Sequence, residues 1–164
     1  MKQASFFCIF ISESKRERMG KRMKYVFLVS HGELAHGMHT ALEMFSGENR
    51  EDILSVGLKN GMGADAFANQ VRETLSVVKP EDEILLFADL VGGSPLTNAA
   101  NVVAEMGLLE KTVMCGGMNL PLVLNAVIMK DTMEAEELLD SIMPEAKDAV
   151  RRFFVEAEDA EEDI

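Results

Sequence analysis

A chain of 164 residues, 48% of them apolar and 27% charged, is sized for one domain with its own core, and its composition excludes disorder over most of its length. The formal net charge of −12 argues against nucleic acid or an anionic membrane surface as partner. Residues 1–23 hold six Lys/Arg and two Asp/Glu, which leaves ten basic and 26 acidic residues in the remainder; that acidic body suits a basic protein surface.

Residues 1–23 read as foreign to the rest of the chain. Residues 5–11 form a short run that is apolar after Ser5, and the basic stretch Lys15-Arg16-Glu17-Arg18 comes after it, whereas a secretory signal places charge first and a longer apolar stretch second. The run is also far short of the roughly 20 apolar residues of a membrane span. The expectation is a disordered or artefactual leader, with Met23 or Met19 as the natural start.

From Lys24 onward, short apolar runs alternate with amphipathic stretches. Residues 25–29 form a strand that stops at Ser30-His31-Gly32. Leu34, Met38, Ala41, Leu42 and Phe45 then recur at helical spacing up to Ser46-Gly47. Residues 53–56 predict a second strand. After the Gly61-Met62-Gly63 loop, Ala66, Phe67, Val71, Leu75 and Val78 mark a helix that stops before Pro80. Residues 84–88 are the clearest buried strand. They lead through Asp89-Leu90-Val91-Gly92-Gly93 to a helix with Ser94 as N-cap and Pro95 at its first position.

Residues 112–115 predict the fourth strand, and helices follow over about 120–129 and 134–150. Cys115 lies in that apolar strand and reads as a buried thiol; Cys8 is far away, so the pair has no metal-ligand spacing. Reduced thiols point to a reducing compartment. Residues 151–155 can extend as a last short strand before the acidic tail 156–164. Most of the methionines, among them Met38, Met44, Met106, Met118, Met129 and Met133, are expected to fill core or interface. Four strand–helix units with short links predict an α/β, doubly wound, mainly parallel sheet of four strands with helices on both faces.

In such sheets chemistry gathers at the carboxyl ends of the strands. That rule selects His31, Asp89 and Gly116-Gly117. A neutral imidazole is a nucleophile. Asp89 can hold its other nitrogen if the first and third strands are neighbours, fixing the tautomer as the carboxylate of a triad does. A histidine that merely ends a strand is the competing reading of His31 alone. Gly92-Gly93-Ser94-Pro95 opens a helix whose first N–H groups lack intrahelical acceptors, which suits an anion such as a phosphoryl group. It is neither a Walker loop nor a dinucleotide fingerprint. His36 and His39 stand at i and i+3, but with no tight ligand motif they read as solvent-facing or packing residues. Asn119-Leu120-Pro121 reads as part of the rim of the site.

Three segments together carry a resemblance: Val26-Phe27-Leu28-Val29-Ser30-His31-Gly32, residues 87–99 around Asp89-Leu90-Val91-Gly92-Gly93-Ser94-Pro95, and Gly116-Gly117-Met118-Asn119-Leu120-Pro121. Over residues 24–155 the chain resembles the enzyme IIA component of the mannose-type sugar phosphotransferase system. The resemblance implies a phosphocarrier in which His31 accepts a phosphoryl group from the small histidine carrier HPr. His31 would then pass it to a IIB component that feeds a membrane permease. It implies that Asp89 orients the imidazole and that Ser94, with Gly93, binds the phosphoryl group. It also implies a cytoplasmic homodimer that exchanges the strand at 151–155, no metal or organic cofactor, and a IIB partner on another chain. Two other phosphohistidine roles stay open: the phosphocarrier subunit of dihydroxyacetone kinase, and a regulatory module that a partner reads without onward transfer.

Overall fold

Two of the chain's apolar runs become the two central strands. In the computed structural model, which describes residues 22–154, β1 (Lys24–His31) and β3 (Glu83–Ala88) are buried along their whole length save for His31. β2 (Ile53–Leu58) and β4 (Thr112–Gly116) flank them, giving a parallel sheet in the order β2-β1-β3-β4. Continuous apolar runs rather than alternating ones are what a sheet covered on both faces demands. The covering helices are α1 (Leu34–Ser46), α2 (Ala64–Leu75), α3 (Ser94–Glu105), α4 (Leu120–Met129) and α5 (Ala135–Asp148).

The period-two alternation of the central strands sorts the core into two layers. Val26, Leu28, Leu85 and Phe87 pack with α1, α4 and α5. Tyr25, Phe27, Val29, Ile84, Leu86 and Ala88 pack with α2 and α3. Phe27, Phe67 and Phe87 are among the largest fully buried side chains, each contributing on the order of 2–3 kcal/mol by burial. Of the methionines, Met118 is buried and Met38, Met106, Met129 and Met133 are half-buried against the core, while Met44 is exposed.

Several boundaries differ from the sequence reading. β1 continues through Ser30 and His31 because β2 also runs on, pairing Ser30 with Gly57 and His31 with Leu58. His31 is therefore the last residue of the strand rather than a residue beyond its end. The helix at 94 starts one residue early: Gly93 is its N-cap, and the Ser94 side chain caps nothing. Cys115 is half-buried rather than fully buried, because β4 is an edge strand. Residues 151–154 form no strand and are exposed in the single chain, and Val155 lies outside the described residues. The stretch read as a leader also lies outside them save Arg22 and Met23, and so does the acidic tail. Met23 N–H donates to Asp82 at 2.8 Å and Arg22 pairs with Glu83.

At the amino ends of the strands lies a charged network. The Arg50 guanidinium grips Asp52 through Nε (2.9 Å) and Nη2 (2.6 Å). The nearly buried Lys130 reaches the same carboxylate at 3.1 Å. Burial pushes the Asp52 carboxyl up, but the hydrogen bonds and charges of Arg50 and Lys130 outweigh it and hold the group at about 2.

Candidate functional site

From β1 the chain crosses to β2 on one side, and from β3 to β4 on the other. A crevice opens at the carboxyl end of the sheet where such crossovers diverge. His31 ends β1 there, and Asp89 follows the last residue of β3, its neighbour strand. Adjacency of the first and third strands was the condition for their pairing, and the sheet order meets it.

Asp89 Oδ2 accepts the His31 backbone N–H at 2.8 Å and lies 2.8 Å from His31 Nδ1. Its other oxygen accepts the Leu90 N–H at 2.9 Å. Burial pushes the Asp89 carboxyl up, but the His31 backbone N–H, the His31 ring and the Leu90 N–H outweigh it and hold the group below the usual carboxylate range. An ionised carboxylate can only accept hydrogen bonds, so the shared proton sits on Nδ1. In the neutral ring Nε2 then carries the lone pair, on a side chain that is 45% exposed. The pair can present a nucleophilic nitrogen to a reacting group and stabilise positive charge that develops on the ring.

Two close approaches shape the crevice. Gly93 lies against the imidazole: a β-carbon there would stand 3.1 Å from His31 Cε1. Gly116, at the end of β4, lies against the loop after β3, where a β-carbon would stand 2.8 Å from Val91 N and 2.9 Å from its Cα. The N-terminus of α3 therefore starts beside the ring, with Ser94 exposed and its hydroxyl without a hydrogen bond among the described residues. Leu34, Leu90 and Val91 around this end are exposed.

Sequence reasoning missed Ser30. It is fully buried, and its Oγ accepts the Ala35 N–H at 2.7 Å, serving the first turn of α1 in place of an N-cap side chain. A serine five residues ahead of a helical run is outside the usual capping spacing, so the only signal was weak. Asn119 ties two helices together. Its Oδ1 caps α4 through the Leu122 N–H (2.9 Å), while its Nδ2 donates to the Ala146 carbonyl of α5 (2.8 Å). His36 and His39 both turn Nδ1 toward the Ser55 hydroxyl, at 3.1 and 3.0 Å. Burial draws His39 below the ordinary imidazole pKa. Among the described residues no group of three or more His, Cys, Asp or Glu is placed to hold a metal ion. Nor is any described helix long and apolar enough to cross a membrane.

Comparison with known proteins converges on one family. The family model described as "PTS system fructose IIA component" matches residues 25–143. The fructose-specific EIIA component of the phosphotransferase system (PTS) of Bacillus subtilis (strain 168) is 25% identical over 117 residues, spanning 71% of this chain and 77% of the relative. Among solved structures, the phosphotransferase component EIIA of Streptococcus agalactiae superposes with a TM-score of 0.68 at 22% identity, covering 79% of this chain and 97% of that one. The mannose/sorbose-specific IIA subunit of Enterococcus faecalis gives 0.68 at 23% identity, covering 83% and 98%. The fold of those structures is the fold described above, and the family match runs from Tyr25 in β1 to Met143 in α5. The chain belongs to the family of the PTS fructose IIA component.

Proposed function

We propose that the protein is a phosphocarrier in which His31 Nε2 takes a phosphoryl group from phosphorylated HPr and passes it to a IIB component of a sugar-uptake system. The observation that carries this reading is the 2.8 Å contact between His31 Nδ1 and the ionised Asp89. It leaves Nε2 as the one nitrogen free to attack. In the loading step the P–N bond of the donor phosphohistidine breaks as Nε2–P forms, and the electron pair of the broken bond returns to the donor imidazole. Nδ1 keeps its proton, so the loaded ring is cationic, and Asp89 offsets that charge at hydrogen-bond distance. Unloading reverses the step toward the acceptor's nucleophile.

Gly93 admits the phosphoryl group beside the ring, and the N-terminus of α3 with the Ser94 hydroxyl receives its oxygens. The exposed Leu34, Leu90 and Val91 offer the partners an apolar rim around the histidine. We extend the proposal to assembly. Val150, Phe153 and Phe154 are exposed in the single chain, and the outer edge of β4 is unpaired among the described residues. A groove of about 300 Å³ lined by Cys115, Met143 and Val150 lies along that edge. These features support a homodimer in which residues 151–155 are exchanged between copies. The work of such a carrier lies in the cytoplasm.

Incubation with enzyme I, HPr and labelled phosphoenolpyruvate tests the reading, comparing wild type with His31→Ala. Acid-labile, base-stable label on the wild type alone is expected. Absence of label on both proteins would sink the relay. Label that IIB cannot remove would favour a regulatory module. Chase into the dihydroxyacetone kinase subunit instead of IIB would move the protein to that pathway.

A further inference from the structure

Gly57 is a buried residue at the end of edge strand β2, paired with Ser30 of β1. A β-carbon placed on it would collide with the carbonyl oxygen of Gly32 and stand 3.3 Å from the Gly32 carbonyl carbon, with His36 Cδ2 at 3.6 Å behind. The obstacle is backbone, which cannot swing aside as a long side chain can. One residue further on, the Leu58 carbonyl accepts the Gly32 N–H at 2.9 Å. The turn that leaves His31 is thus laid directly on β2, over the one position of that strand with no side chain. Gly32 itself has φ +56°, but a β-carbon there would meet nothing within 4 Å. The tight spatial requirement therefore belongs to Gly57, not to the turn glycine.

We infer that Gly57 is a positioning residue for His31: by leaving room for the Gly32 carbonyl it sets the angle at which the imidazole meets Asp89. The link is short. Lifting Gly32 off β2 pulls on the His31–Gly32 peptide and through it on His31, whose own backbone N–H and ring share one oxygen of Asp89. A displaced backbone does not keep both bonds at 2.8 Å, and the ring then loses its fixed tautomer. The inference rests on the phosphocarrier reading for its kinetic consequence, though not for its geometry.

The test is Gly57→Ala beside Gly37→Ala, the latter a control in α1 where a β-carbon meets open space. Gly57→Ala is expected to lower the rate constant for His31 phosphorylation on the order of 10²-fold, as misplacement of a reacting group does, with KM for phospho-HPr little changed. Its 15N spectrum should lose the single Nδ1–H form of His31. Gly37→Ala should match wild type in both. Wild-type turnover in Gly57→Ala overturns the inference. So does slowed turnover with the Nδ1–H signal intact, which would make the role merely structural. If Gly57→Ala does not fold, the wild type decides. A hydrogen-bond coupling from the Gly32 N–H to the Leu58 carbonyl, with slow amide exchange, upholds the docked turn, and exchange at open-turn rates overturns it. Failure of the wild type to be labelled would overturn the phosphocarrier reading while the tautomer comparison still judges Gly57.

Discussion

One oxygen of Asp89 receives both hydrogen bonds that orient His31: the backbone N–H and ring Nδ1 each lie 2.8 Å from Oδ2. The carboxylate therefore locks the ring to the main chain of the same residue as well as fixing which nitrogen is protonated. Asp89→Asn keeps the size and one acceptor oxygen but cannot offset a cationic ring. It is expected to leave the fold and thermal midpoint close to wild type while slowing phosphoryl transfer on the order of 10²-fold or more. Rapid-quench measurement of loading from phospho-HPr checks it, and a wild-type rate would remove Asp89 from the mechanism.

The loop after Asp89 is held from the other side by Gly116. A β-carbon there would press on Val91 Cγ2 at 2.6 Å and on its backbone N and Cα, so the loop must yield. Gly116→Ala is expected to cost about 1–3 kcal/mol of stability and to slow transfer at least about tenfold through the displaced Gly93 and Ser94. Gly117→Ala is the matched comparison. Its φ of +81° makes a side chain costly by about 1–2 kcal/mol, but nothing lies within 4 Å of the new carbon. Similar losses of stability with transfer impaired only in Gly116→Ala is the expected outcome. Equal transfer rates in the two variants would refute the contact's role.

The strands and helices were legible because burial on both faces leaves uninterrupted runs such as Ile84-Leu85-Leu86-Phe87-Ala88, and solvent-facing helices leave a period of 3.6. His31 and Asp89 were legible as strand-end residues, since topology alone brings such ends together. What stayed hidden depends on register and close approach. The extension of β1 through His31 comes from pairing with Leu58, which no local pattern encodes. The roles of Ser30, Gly57 and Gly116 arise from contacts with residues 5, 25 and 25 positions away. A glycine in a strand reads in sequence only as a weak strand former. Ser94 as N-cap failed because Gly93 can take the extended cap geometry itself, which leaves the hydroxyl free.

Phe153 and Phe154 come after α5 with 89% and 74% of their surface exposed. Two consecutive aromatic side chains in water, three and four residues after Val150, which lines a groove with Cys115 of the edge strand β4, are a standing invitation to pairing. Deletion of residues 151–164 is expected to shift the protein from dimer to monomer, or to raise its dimer dissociation constant by at least about tenfold, without loss of the sheet. Light scattering across a concentration series reads this directly. A dimer of unchanged strength in the truncated protein would exclude the exchanged strand.

Acid stability gives a prediction at the opposite end of the sheet. The Asp52 carboxyl is depressed from 3.8 to about 2 by Arg50 and Lys130, against the opposing effect of burial. A depressed carboxylate stabilises the folded state above its unfolded pKa, and that contribution fades as pH falls through the folded value. The window is therefore from about pH 4 down to about pH 2, and the contribution at neutral pH is about 2 kcal/mol. Asp52→Asn should lower the urea midpoint at pH 7 and pH 5 by the same amount. The gap to wild type should narrow below pH 4 and be mostly gone near pH 2. A gap that stays constant to pH 2 would mean that the network contributes packing rather than charge. Because Asp52 precedes β2 at the end of the sheet away from His31, the variant should load phosphoryl groups at the wild-type rate wherever it remains folded.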